Sequence, residues 1–89
     1  MISREIEIIN KLGLHARAAA KLVTQASQYE SDIQLIRNDQ KVNAKSIMGV
    51  MMLAAGQGTT LLITAIGDDE SEAVDALNEL VLSRFGEGE

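Results

Sequence analysis

Every stretch of this chain with a regular hydrophobic pattern is apolar on one side only, and the pattern switches between two periods. In residues 2–9, Ile6 and Ile8 alternate with Glu5 and Glu7, the period-2 mark of a strand with one wet face. From Ala16 to Gln28 the chain is rich in Ala and free of Gly, and Ala19, Leu22, Val23 and Ala26 recur at helical spacing. Residues 33–37 and 40–43 read as short strands joined by a turn at Asn38-Asp39, and Thr59 to Ile66 is a β-branched central strand. Ser46 is a candidate N-cap for a short second helix ending near Ala55, with Gly56 as its stop. Asp69 is a candidate N-cap for a third helix from Glu70 to Ser83, with Ala73, Leu77, Leu80 and Val81 inward. Elements with a single apolar side must pool those sides. The order β-α-β-β-α-β-α therefore predicts an α+β fold: an open-faced sandwich in which three helices cover one face of a four-stranded, mainly antiparallel sheet. The other face, with Glu5, Glu7 and Gln34, is left to water.

With 89 residues the chain supports one domain, 1–89. Tyr29 and Phe85 are its only aromatics, so the core must be aliphatic. The absence of Cys excludes disulfides, thiolate zinc sites and cysteine nucleophiles. Charge is unevenly spread. Residues 1–60 hold seven basic against five acidic side chains, whereas residues 61–89 hold one against eight. Such a chain is a poor partner for nucleic acid, which needs a dense basic face and stacking aromatics. A small anion bound in the first half is compatible with it. The first residues lack a secretory layout, and no apolar run approaches the ~20 residues of a membrane span. A cytoplasmic monomer is expected. The tail Gly86-Glu87-Gly88-Glu89 reads as frayed.

The one histidine, His15, follows Gly13-Leu14 and stands where the first helix begins. A helix start offers unpartnered N–H groups and the positive end of the macrodipole, a natural seat for phosphate. The same field favours a neutral, nucleophilic imidazole. Arg17 can bring its guanidinium to phosphoryl oxygens, and Ala16 adds its amide. Phosphoryl transfer depends mainly on positioning and charge, so no second catalytic group is required. A lone histidine at a loop end with no role is the competing bland reading. No metal is expected, because one His with no Cys and no adjacent carboxylate cannot close a coordination shell. A hydrolase triad fails for want of a nucleophile elbow. No cofactor is expected.

The run from Asn10 to Val23, Asn-Lys-Leu-Gly-Leu-His-Ala-Arg-Ala-Ala-Ala-Lys-Leu-Val, resembles the active-site signature of the HPr family, the histidine phosphocarriers of the bacterial phosphotransferase system. Residues 45–59, a Lys-Ser pair opening a short helix that ends in Gly-x-Gly, resemble the family's second signature. The resemblance implies that His15 takes phosphate on Nδ1 from phospho-enzyme I and passes it to an EIIA-type protein. Arg17 and the helix-start amides would support the phosphoryl group. Such a chain acts stoichiometrically with its partners rather than on a small-molecule substrate. Ser46 matches the family's regulatory serine, a target of a serine kinase in some bacteria; the bland reading makes it only an N-cap. Ala18 departs from the pattern, since many members have proline there. Helical geometry turns Ile47, Met48 and Met51 outward while Val50 and Leu53 face the sheet, and Ala16, Ala20 and Lys21 complete a docking patch. The runs Asn10–Gly13 and Phe85–Glu87 look more like NPr, the carrier of the nitrogen-related branch, than the sugar-uptake carrier. A docking module that is never phosphorylated is the alternative of a different class.

Overall fold

The alternating residues at the N-terminus form β1 (Ile2–Glu7), and the Ala-rich run forms α1 (Ala16–Ala26). Next come β2 (Asp32–Arg37), β3 (Gln40–Asn43), α2 (Ile47–Met52), β4 (Thr60–Ile66) and α3 (Glu70–Leu82), followed by a 3-10 turn at Arg84–Gly86. The computed structural model describes residues 1–88. The element order is the expected one, and so is the architecture. The sheet runs β1-β4-β2-β3, with each neighbouring pair antiparallel.

Register shows how the pattern becomes a layer. Ile6 lies opposite Leu61, Ile33 opposite Ala65 and Leu35 opposite Ile63, and all six side chains are buried on the helix-covered face. Glu5 and Glu7 occupy the other face and are exposed, while Gln34 is half-buried there. A one-residue slip would exchange the two sets, so burial fixes the register. Above the sheet, α1 packs between α2 and α3. Its Ala18, Ala19, Leu22 and Ala26 are buried; Val23, expected in that stripe, is only partly covered. Ala18 thus fills space in the core as well as continuing the helix.

Three local expectations need correction. The second helix stops at Met52, with the chain reversing at Ala54 (φ 50°) rather than at Gly56. The cause lies in the β2–β3 hairpin: the Arg37 guanidinium donates to the carbonyls of Leu53 and Ala54, and Gln40 Nε2 reaches that of Met52. These donors satisfy the orphan carbonyls of the last turn without a glycine. Asp69 occupies the N-cap position of α3 but does not cap it. Its carboxylate instead accepts the N–H groups of Glu30 and Ser31 and the Ser31 hydroxyl, which ties the start of α3 to the segment entering β2.

The third correction concerns the tail. Phe85 is buried to 1% exposure, and Lys21 Nζ donates to its carbonyl at 2.7 Å. Arg84 and Phe85 both adopt left-handed backbone (φ 56° and 55°), a conformation that costs free energy in non-glycine residues. Burying the ring and pairing the carbonyl offset that cost. Residues 84–87 therefore fold back toward α1 and His15 instead of fraying, and Glu89 lies outside the described residues.

Candidate functional site

The segment between β1 and α1 is held at both ends before it reaches His15. Ile8 and the 58–59 backbone exchange hydrogen bonds of 2.9 and 2.7 Å, and Leu14 N–H donates to the Ala55 carbonyl at 2.8 Å. Gly13 has φ +68°, and a Cβ there would lie 2.6 Å from the Ala55 oxygen and 2.7 Å from Gly56 Cα. Only glycine allows the two loops to meet this closely. Asn10, fully buried, donates to the Gly13 carbonyl at 2.8 Å and clasps the turn from inside.

This scaffold delivers His15 to the N-cap position of α1 with extended backbone (φ −72°, ψ 177°). Its carbonyl accepts the N–H of Ala19 at 2.8 Å, as an N-cap carbonyl should. Its ring does not cap the helix, so the first-turn N–H groups have no side-chain partner among the described residues. The ring turns outward, with the side chain 29% exposed, beside a shallow hollow of about 430 Å³. Lys11, Arg17 and Lys21 line that hollow with His15, and so does one acid, Glu87. Three cations and an open helix start around one imidazole form a receptive place for an oxyanion.

Of the residues singled out from sequence, His15, Arg17 and Lys21 meet at this hollow, with Ala16 exposed at its helix start and Ala20 half-buried. Ser46 does not line it. It caps α2, its Oγ accepting the Gly49 N–H at 3.1 Å. Val50 and Leu53 are buried, whereas Ile47, Met48 and Met51 are exposed on the helix that packs beside α1. Leu12 and Met52, not singled out, are equally exposed apolar side chains.

The residue that sequence reasoning missed is Glu87. One carboxylate oxygen contacts His15 Nε2, and the other accepts from Asn10 Nδ2 at 3.0 Å. Burial works against its charge, but the hydrogen bonds from Asn10 and His15 outweigh that, helped by the fields of His15 and Lys21. Together they hold the Glu87 carboxyl below its ordinary range. No acid lies near His15 in the chain; this one comes from 72 residues away. The available signal was Phe85, the sole phenylalanine, placed two residues before it. Among the described residues no cluster of three or more His, Cys, Asp or Glu could hold a metal ion. No helix among them is long and apolar enough to cross a membrane.

Comparison with known proteins gives this geometry its context. A family model described as the PTS HPr component phosphorylation site matches residues 2–83. The phosphocarrier protein HPr of Cupriavidus necator is 57% identical over 89 residues, 100% of both chains. The phosphocarrier protein NPr of Shewanella violacea is 41% identical over 86 residues, 97% of this chain and 94% of that one. The crystal structure of HPr-C-His from Thermoanaerobacter tengcongensis superposes with a TM-score of 0.95 at 52% identity, covering 98% of each chain. A second structure from that organism is of an HPr dimer.

Proposed function

The chain belongs to the HPr family of phosphocarriers of the phosphotransferase system, and from that premise we propose that His15 accepts a phosphoryl group from phospho-enzyme I and hands it to an EIIA-type protein. The observation that carries the reading is the placement of the only imidazole at the uncapped start of α1, facing a hollow lined by Lys11, Arg17 and Lys21. A nitrogen lone pair there meets an incoming phosphorus, while the cations and first-turn amides take up charge on the phosphoryl oxygens. Arg17 contributes a planar fork suited to two of those oxygens. The single domain 1–89 acts as a monomer in the cytoplasm and is regenerated at each cycle.

Ala16, Ala20, Lys21, Ile47, Met48 and Met51 form the surface that both donor and acceptor dock on. Met48, at 70% exposure, offers a soft apolar contact able to fit unlike partners. Ser46 is the regulatory position: a phosphate on its Oγ puts negative charge at the entrance of the Met-bearing helix. Two branches compete for the acceptor. The runs Asn10–Gly13 and Phe85–Glu87 favour a nitrogen-related EIIA, and the higher identity of relatives named HPr favours a sugar-branch one.

Incubation with enzyme I and labelled phosphoenolpyruvate tests the reading. An acid-labile, base-stable label is expected on the wild type and none on His15→Ala. Arg17→Ala should retain the label but acquire it about tenfold more slowly or worse. Chasing the labelled protein with each type of EIIA assigns the branch. Intact partner binding without any label would favour the docking module.

A further inference from the structure

The contact between the tail and the imidazole has a chemical consequence that depends on which ring nitrogen it uses. Glu87 contacts Nε2 and leaves Nδ1 with no hydrogen-bond partner among the described residues. The carboxylate is itself anchored. Asn10 holds its second oxygen at 3.0 Å, Lys21 holds the Phe85 carbonyl at 2.7 Å, and the buried Phe85 ring fixes the turn that carries it. Its side chain is only 11% exposed, so water competes little for it. A carboxylate accepts hydrogen bonds and cannot donate them.

We propose that Glu87 is a positioning residue for phosphoryl transfer, accepting the Nε2–H proton of His15 and thereby presenting the Nδ1 lone pair to phosphorus. The proposal rests on His15 being the phosphoryl acceptor. In the transfer, the bond from phosphorus to the donor atom breaks, its electron pair staying on the donor. The Nδ1 pair forms the new N–P bond. The Nε2 proton stays in place, and the positive charge that develops on the phosphorylated ring is balanced by the Glu87 carboxylate. Orientation of one imidazole nitrogen by a carboxylate on the other is a general way of fixing tautomer and ring angle.

This role separates from the opposite one, in which the carboxylate occupies the phosphate's place and must be expelled. The test uses the full chain, labelled with ¹⁵N, as wild type, Glu87→Gln and Glu87→Ala. In the wild type the Nε2–H proton of His15 should be protected from exchange and shifted downfield; in Glu87→Ala that resonance should disappear while the amide spectrum of the sheet is unchanged. Phosphoryl acceptance from phospho-enzyme I should slow about tenfold in Glu87→Ala, the size of one hydrogen bond to a charged group. Glu87→Gln, which keeps shape but loses charge and can donate as well as accept, should be slowed too. A wild-type rate in Glu87→Gln, or faster acceptance in either variant, overturns the proposal. If the wild type takes no label at all, the acceptor role of His15 fails, whereas a normal label with no protected Nε2–H proton defeats the Glu87 role alone.

Discussion

The Arg37 guanidinium on β2 donates to the backbone carbonyl of Leu53 at 2.7 Å and closes the end of α2 from the neighbouring sheet. A second bond, to Ala54 at 3.0 Å, holds the left-handed residue that turns the chain toward the loop under His15. Position and charge both matter here, since a cation at a helix C-terminus also meets the negative end of its dipole. Arg37→Ala should therefore lower stability by about 1–2 kcal/mol. Urea denaturation checks the loss. Arg37→Lys, which lacks the planar fork, should recover only part of it.

Gly13 sits where two loops touch. Alanine there would need positive φ and would drive its Cβ into the Ala55 carbonyl and Gly56 Cα, neither of which can rotate away. Gly13→Ala should cost about 2–3 kcal/mol. It should also displace His15 from the start of α1, so transfer should fall further than stability predicts. Parallel thermal denaturation and phosphoryl-acceptance rates separate the two effects.

The sheet pattern was legible because each residue there answers to local alternation. Ile6, Glu5 and Glu7 declare their faces without help from distant parts of the chain, and the Ala-rich start of α1 does the same for His15. The end of α2 was not legible. Gly56 looked like the stop, but helix ends are settled by whichever donor reaches the free carbonyls, and Arg37 lies 16 residues away. Glu87 was hidden for the same reason. Gly86-Glu87-Gly88 carries the composition of a loose tail, and only the burial of Phe85 and the reach of Lys21 turn it back to the site.

Phe85 is therefore the hinge pin of that return. Removing its ring empties a fully buried place and leaves the Lys21 bond to the residue-85 carbonyl alone to offset the strain of two left-handed backbone residues. Phe85→Ala should destabilise the fold by about 3–4 kcal/mol. In the molecules that remain folded, the Glu87 contact should be lost, which the Nε2–H resonance of His15 would report.

Asp69 supplies the acid dependence. The Ser31 hydroxyl and then the Glu30 amide are the main causes that hold its carboxyl below the ordinary aspartate value. A depressed value in the folded state means the unfolded chain binds the proton more readily. The contribution is therefore fully present above about pH 5, clear of the unfolded range, and is lost as pH falls through the lower folded value. Denaturation between about pH 5 and pH 2 should show stability declining, and Asp69→Asn should flatten that part of the curve.

The most direct measurement is a phosphorus-to-nitrogen correlation on ¹⁵N-histidine-labelled protein charged by enzyme I and phosphoenolpyruvate. One phosphoramidate resonance coupled to Nδ1 of His15 is expected, with amide shifts concentrated in residues 10–21 and 84–88. Phosphorus on Nε2, on a hydroxyl such as that of Ser46, or nowhere on the folded chain would contradict the account.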